Sequence, residues 1–72
     1  MPTGTVIEFD EDGGYGTVRE HAADGGPGTE RFFHCTAIAD GSRTIEVGAA
    51  VRFDVVAGLR GVYEARRLVR SG

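Results

Sequence analysis

The sequence predicts an all-β fold in which five short strands close into a barrel. Five segments rich in β-branched and aromatic residues alternate with turns. Twelve of the 72 residues are glycine, more than twice the usual share of about 7%, which favours tight turns over long helices. No segment reads as a helix long enough to cover a sheet, so barrel closure is the economical way to remove unpaired strand edges. Five strands in so short a chain indicate an antiparallel barrel of the OB type.

The first two strands are predicted to form a hairpin. The segment TVIEFDED, Thr5 to Asp12, is rich in β-branched residues and ends in an acidic turn that continues into Gly13 and Gly14. The segment YGTVREH, Tyr15 to His21, reads as the second strand. The gap between them is short enough for a hairpin turn. The loop ADGGPG follows, since glycine and proline there break any ladder.

The remaining segments predict three strands and one helical turn. ERFFHC, Glu30 to Cys35, reads as the third strand, and residues 36–38 read as a single helical turn. AAVRFDVV, Ala50 to Val56, alternates apolar and polar residues as a half-buried strand does. VYEARRLV, Val62 to Val69, is predicted as the fifth strand, with a short helix as the alternative.

Parity along the strands predicts which side chains form the core. The residues expected to be largely buried are Val6, Val18, Phe33, Ile38, Val51, Phe53 and Val55. Arg31 shares the inward side of Phe33, where an unpaired charge would be costly. We therefore expect Arg31 either to extend out at a barrel edge or to pair with Glu20 or Glu30.

The same parity predicts an outward face with three flat rings. If Val18 and Phe33 point inward, then Tyr15 on the second strand and Phe32 and His34 on the third point outward together. Exposed rings on one open sheet face are typical of a surface on which a ligand stacks. The alternative is that Tyr15 and Phe32 only cover a barrel end, because scattered exposed apolar residues are normal.

Length and charge limit the classes of function. A chain of 72 residues predicts one domain, spanning 1–72, and its small core leaves a small margin of stability. With 8 basic and 11 acidic residues the formal charge is −3, so nucleic acid would have to be bound by a local surface rather than by bulk attraction. We find no signal peptide and no apolar run of membrane-spanning length, so a cytoplasmic protein with no membrane contact is expected.

Neither a metal site nor an enzyme is predicted. Cys35 is the only cysteine and there are two histidines, too few for an internal disulfide or a structural zinc site, and no cofactor is indicated. His34 and Cys35 are neighbours, but adjacent strand residues point to opposite faces, so a catalytic Cys–His pair is not expected. An acidic turn is the ordinary interpretation of the run Asp10 to Asp12.

Four short motifs give the chain a family resemblance. GTV at Gly4, GYG at Gly14, FFH at Phe32 and CTAI at Cys35 follow one another in an order that resembles a divergent bacterial cold-shock protein, or cold-shock domain, over nearly the whole chain. The resemblance implies a five-stranded OB barrel that stacks bases of single-stranded RNA or DNA on the aromatic residues of two ribonucleoprotein motifs. The segment GGYGTVRE matches the first motif at Gly14, Tyr15, Gly16 and Val18.

The departures from the family pattern fall on the implied binding face. Where the family has Lys-Trp-Phe in the first strand, this chain has Ile7, Glu8 and Phe9. Aromatic or basic positions of the pattern are also replaced at Gly13, Thr17, Cys35 and Ser42. Four stacking positions are thus lost, each worth about 1–3 kcal/mol per stacked base, so weak binding is expected.

Two functions follow from these observations. The first is weak binding of single-stranded RNA or DNA, as an RNA chaperone or a regulator of transcription or translation, by a monomer for which a protein partner is a further candidate. The candidate binding residues are Phe9, Tyr15, Arg19, Phe32, His34 and Arg60. The alternative is a protein-interaction module that kept the barrel and lost nucleic acid, which Glu8, the negative charge and the missing rings favour.

Overall fold

Five strands and one short helical turn form the protein. The computed structural model describes residues 2–22, 28–58 and 62–71. The elements are β1 (Thr3–Asp10), β2 (Tyr15–Glu20), β3 (Glu30–His34), a 3₁₀ turn (Cys35–Ala37), β4 (Ala50–Ala57) and β5 (Tyr63–Arg70). All five predicted strands are confirmed, and the fifth is a strand rather than the alternative helix. Within the described ranges, no helix is long and apolar enough to cross a membrane.

The strands close into a barrel in the order β1-β2-β3-β5-β4. Four of the pairings are antiparallel, as predicted. The fifth pairing is parallel: β3 and β5 run in the same direction where Phe32 lies opposite Glu64. An odd number of strands cannot alternate in direction all the way around a closed ring, so one pair must be parallel.

The core lies inside this barrel. Its ten buried apolar residues are Val6, Val18, Phe33, Ala37, Ile38, Ile45, Val51, Phe53, Ala65 and Leu68. Six of the seven residues predicted to be buried are among them. The seventh, Val55, is only partly buried against the cluster, because it lies near the end of β4, where the barrel opens.

A bulge in β1 decides which side chains of that strand face outward. Val6 pairs with Val18, but Glu8 pairs with Thr17, so Ile7 is an extra residue in the ladder. Without this insertion Glu8 would share the inward side of Val6. The bulge turns the Glu8 carboxylate out to solvent and turns Phe9 toward the core.

Phe9 and Phe33 then stack across a glycine. Gly16 pairs with Phe9 on one side and with Phe33 on the other. The two rings are nearly parallel, 6° apart, with their centroids separated by 6.0 Å. A Cβ atom at Gly16 would lie 2.8 Å from Cζ of Phe33 and 2.5 Å from the carbonyl oxygen of Glu8. This position therefore excludes any side chain.

The charge expected to be costly at Arg31 is paired. Its Nε donates to Oε1 of Glu20 at 3.2 Å, with 23% and 29% of the two side chains exposed. The guanidinium carbon also lies 6.0 Å from the centroid of the Tyr63 ring, within reach of a cation–π contact. Of the two partners considered, Glu20 is the one that Arg31 takes, and Glu30 pairs with Arg19 instead.

The long segment between the 3₁₀ turn and β4 is fixed by one buried side chain and by ion pairs to β5. Ile45 inserts into the core, and the Arg70 guanidinium at the end of β5 contacts the carboxylates of Asp40 and Glu46. Hydrogen bonds from Ser42, and then from Arg70, hold the pKa of the Asp40 carboxyl below its ordinary value. The pKa of Glu46 is lowered by its own backbone N–H and then by Arg70.

Gly16→Ala is predicted to destabilise the barrel by about 1–3 kcal/mol, because the added methyl must displace the Phe33 ring or the β1 backbone. For a domain of this size that is a fall in Tm of roughly 4–8 °C per kcal/mol. Thr17→Ala, the next residue on β2 and directed outward, is the matched control, with an expected cost below about 1 kcal/mol. Equal melting temperatures for Gly16→Ala and the wild type would contradict the close approach.

Arg70→Met is predicted to destabilise the protein more at neutral pH than in acid. A carboxyl whose pKa is lowered by folding stabilises the protein above its unfolded pKa, and that contribution is lost as pH falls through the folded value. The difference in Tm between wild type and Arg70→Met should therefore shrink as Asp40 and Glu46 become protonated. Melts from pH 7 downward measure it, with Arg52→Met as the control. A difference that stays constant with pH would contradict the role of these carboxylates.

Candidate nucleic-acid interface

The outer face of β1, β2 and β3 presents the candidate residues in two registered rows. In one row Asp10, Tyr15 and His34 lie side by side across the three strands. In the next row Glu8, Thr17 and Phe32 lie side by side, and Glu64 of β5 extends the row. We call Tyr15, Phe32 and His34 the aromatic face.

Tyr15 and Phe32 form an exposed pair of rings. They are diagonal neighbours on β2 and β3, with centroids 5.9 Å apart and planes 28° apart. Tyr15 is 45% exposed and Phe32 is 43% exposed, whereas Phe33 is fully buried. The predicted orientation of the third strand is therefore confirmed. Two flat apolar surfaces at one level of the sheet are suited to stacking against planar groups.

A glycine makes room for the Tyr15 ring. A Cβ atom at Gly13 would overlap Cε1 of Tyr15 and lie 2.8 Å from its Cδ1. The ring thus lies across the β1–β2 turn, over a residue with no side chain. Gly13 takes the place where the family pattern has lysine. Glycine at position 13 lacks the lysine charge of the family pattern and also permits the observed position of the Tyr15 ring, because a side chain at residue 13 would displace that ring.

His34 is held in one orientation by the turn that follows it. It is exposed at the end of β3, and its Nδ1 accepts a hydrogen bond from the backbone N–H of Thr36 at 3.3 Å. The Thr36 hydroxyl lies 3.1 Å from the same nitrogen. A neutral imidazole that accepts at Nδ1 carries its proton on Nε2. His34 therefore offers an N–H donor to a ligand on the face.

Cys35 lies closer to His34 than strand parity predicts. Its sulfur is 3.8 Å from Nδ1 of His34, so the expectation that the two side chains point to opposite faces is wrong. The reason is that β3 ends at His34 and Cys35 begins the 3₁₀ turn. The Nδ1 lone pair is already taken by the Thr36 N–H, so this nitrogen is not placed to accept the thiol proton.

Phe9 belongs partly to the core and partly to a groove beside Tyr15. Its ring stacks on Phe33 and packs against the buried cluster. Next to it lies an open groove of about 390 Å³ whose lining residues are Ile7, Glu8, Phe9, Asp10, Tyr15, Gly16, Thr17 and Val47. Phe9 can therefore offer a ring edge to a planar group, but it has less free surface than Tyr15 or Phe32. Val47 lines the groove without any prior signal in the sequence.

The charges around the aromatic face are mainly negative. Arg19 lies on the expected side of β2, but its Nη2 pairs with Oε2 of Glu30 at 3.1 Å. Glu8 and Asp10 flank the rings from β1, and Glu64 flanks Phe32 from β5. Arg60, the other predicted cation, lies outside the described residues. The part of the face that is described thus offers one cation, and that cation already has a carboxylate partner.

No metal site accompanies the rings. Among residues 2–22, 28–58 and 62–71, no group of three His, Cys, Asp or Glu side chains is placed to hold a metal ion. The described side chains near the rings thus offer planar surfaces, a histidine donor and carboxylate acceptors. They have the chemistry of a binding surface.

Comparison with known proteins agrees with the geometry. A family model described as the 'Cold-shock' DNA-binding domain matches residues 2–70. No curated protein matches the chain. The family match covers all five strands of the barrel and the two strands that carry the aromatic face. The resemblance in the short motifs is therefore confirmed, and the chain belongs to the cold-shock DNA-binding domain family.

Proposed function

We propose that this chain binds single-stranded nucleic acid, RNA above all, by stacking bases on Tyr15 and Phe32. The observation that carries the proposal is the exposed pair of rings with centroids 5.9 Å apart on the outer face of β2 and β3. Unpaired bases offer a planar surface whatever their sequence, so stacking binds them with little sequence preference. A base stacked on these rings also removes their apolar surface from water.

His34 and Phe9 extend the contact on either side of the ring pair. His34 lies beside Tyr15 in the strand register and offers its Nε2–H to a base edge or a phosphate oxygen. Phe9 lines the groove on the other side of Tyr15, where a neighbouring base fits against its ring edge. Arg19 binds a phosphate when its guanidinium leaves Glu30. Arg60 is proposed as a further phosphate contact.

The binding is expected to be weak. Thr17 stands between Glu8 and Phe32 in the row where the family pattern has another ring, so one stacking surface is missing from the middle of the face. Glu8 and Asp10 add negative charge where phosphates approach. Weak stacking without sequence preference suits an RNA chaperone or a regulator of transcription or translation that acts in the cytoplasm as a monomer.

One observation favours a second candidate, a protein-interaction module. The carboxylates of Glu8, Asp10 and Glu64 flank the rings, and Arg19 is paired with Glu30. A surface of exposed rings with an acidic border also fits a basic segment of another protein, since aromatic residues are enriched at protein interfaces. The two candidates differ in what the rings contact, so a nucleic-acid titration separates them.

Phe32→Ala is predicted to weaken binding of a pyrimidine-rich single strand by about 5- to 150-fold, the equivalent of about 1–3 kcal/mol of stacking. Phe32 is exposed, so the fold should survive, and a thermal melt checks this. The measurement is a fluorescence titration at one low salt concentration.

Tyr63→Ala is the matched control for that titration. Tyr63 is also exposed, but its ring lies by the Arg31 guanidinium. It precedes Glu64, the residue opposite Phe32, and so should point to the other side of the strand, and single-strand affinity should change little. If Phe32→Ala binds as the wild type does, stacking on this face is excluded and the protein-interaction candidate takes its place.

Thr17→Phe is predicted to tighten single-strand binding by about 5- to 150-fold, because it places a ring between the positions of Glu8 and Phe32. Glu8→Trp should act in the same direction by adding a ring and removing a negative charge. Glu8→Gln removes the charge alone and separates the two effects. If neither Thr17→Phe nor Glu8→Trp raises the single-strand affinity, bases do not approach the row of Glu8, Thr17 and Phe32.

A further inference from the structure

A second charged surface lies on strands β4 and β5. Arg52 of β4 and Arg66 and Arg67 of β5 are all exposed, whereas Val51 and Phe53 beside Arg52 and Ala65 and Leu68 on β5 are buried. The three arginines thus point out of the barrel. We call Arg52, Arg66 and Arg67 the arginine face.

The ladder between β4 and β5 brings these three residues together. Arg52 pairs with Val69, and Arg66 pairs with Asp54, two residues further along β4. Diagonal neighbours in an antiparallel pair lie about 7–8 Å apart, within reach of long side chains. Three guanidinium groups therefore share one small area of the outer surface.

A bulge in β5 places two consecutive arginines on this surface. The register shifts between Arg52 and Asp54, because three steps along β5, from Val69 to Arg66, match two steps along β4. Arg67 has a φ of 55°, in the left-handed region that disfavours residues other than glycine. In a regular strand, Arg66 and Arg67 would point to opposite faces. The bulge leaves both exposed, and the inward pattern resumes at Leu68.

The positive charge of the arginine face is mostly uncompensated. Arg67 lies 3.8 Å from a carboxylate oxygen of Asp54, with 79% of its side chain exposed, a surface pair that contributes little. In the part of the chain that the structure describes, neither Arg52 nor Arg66 forms an ion pair. Three guanidinium groups around one carboxylate give a local excess of positive charge on a chain whose formal net charge is −3.

The arginine face and the aromatic face lie on different strands. In the barrel order β1-β2-β3-β5-β4, β5 borders β3, and Arg66 lies two residues beyond Glu64, the residue opposite Phe32. Guanidinium groups bind phosphate oxygens through paired hydrogen bonds, which makes Arg suited to the sugar-phosphate backbone. Glu8, Asp10 and Glu64 flank the rings, whereas Asp54 is the one carboxylate that pairs with the arginine face among the described residues, so phosphates approach the arginine face more easily.

We propose that the arginine face is a second nucleic-acid site, which binds the phosphate backbone without reading bases and accepts duplex as well as single strands. It goes beyond the proposed function, because it needs no unpaired base. The rings stack on unpaired bases and the guanidinium groups contact phosphates, so the chain holds single strands and duplexes through different side chains.

Duplex DNA is the probe that isolates this site, since paired and stacked bases leave no free surface for Tyr15 and Phe32. The change to test is the triple variant Arg52→Gln, Arg66→Gln and Arg67→Gln. We expect the wild type to bind a short duplex at low salt with a log–log salt slope of about −2.7, from about −0.9 for each of three phosphate contacts. The triple variant should bind it about tenfold more weakly or worse, with a slope close to zero.

Two controls separate this proposal from the function assigned to the rings. A triple variant with lysine at the same three positions keeps the charge and should retain most duplex binding. Phe32→Ala should leave duplex binding unchanged while it weakens binding of a single strand. Thermal melts check that each variant folds.

Each outcome of these measurements either supports the proposal or contradicts it. Duplex binding that survives the glutamine triple variant, or is lost in Phe32→Ala, overturns the proposal even if single strands bind as expected. Loss of single-strand binding in Phe32→Ala, with duplex binding intact, supports both sites independently. If the wild type binds no duplex but self-associates at low salt in sedimentation, and the glutamine variant is a monomer, the arginine face binds an acidic protein surface and the proposal is wrong.

Discussion

The stack of Phe9 on Phe33 across Gly16 is the contact on which the binding face depends. The three residues lie in one register across β1, β2 and β3, and the absence of a side chain at Gly16 lets the two rings approach. Phe9 reaches this position only because the bulge at Ile7 reverses the parity of β1. The same reversal puts Glu8 and Asp10 on the outer surface. One local irregularity therefore fixes both the inner packing and the charge beside the exposed rings.

On the outer face, rings of the family pattern are replaced while the fold is kept. Three residues that depart from the family pattern there are compatible with the barrel: Thr17 suits a half-buried strand, Glu8 is exposed on the far side of the bulge, and Gly13 leaves room for the Tyr15 ring. None of these changes touches the buried cluster. The buried core and the proposed binding residues thus lie on opposite sides of the same strands, which lets the outer residues change without loss of the fold.

Strand parity predicted most of this arrangement, and it failed where the ladder is irregular. Phe33 inward and Phe32 outward follow from alternation alone, as do six of the seven buried residues expected. The contact between Cys35 and His34 was missed because β3 ends one residue earlier than alternation implies. The exposure of both Arg66 and Arg67 was missed because a bulge has no clear signal in VYEARRLV. Ile45 and Arg70 hold the long segment before β4 through contacts distant in sequence, which local patterns do not reveal.

The separation of charge from rings follows from the same irregularities. The bulge in β1 directs acidic side chains to the aromatic face, and the bulge in β5 directs two consecutive arginines outward on the strand next to β3. Because β5 borders β3, the nearest strands of the two surfaces are one strand spacing apart, about 4.8 Å. A nucleic acid that stacks on the rings therefore meets carboxylates nearby and guanidinium groups around the barrel. In the proposed binding, stacking selects unpaired bases and charge holds the backbone, so the two contributions can be altered separately.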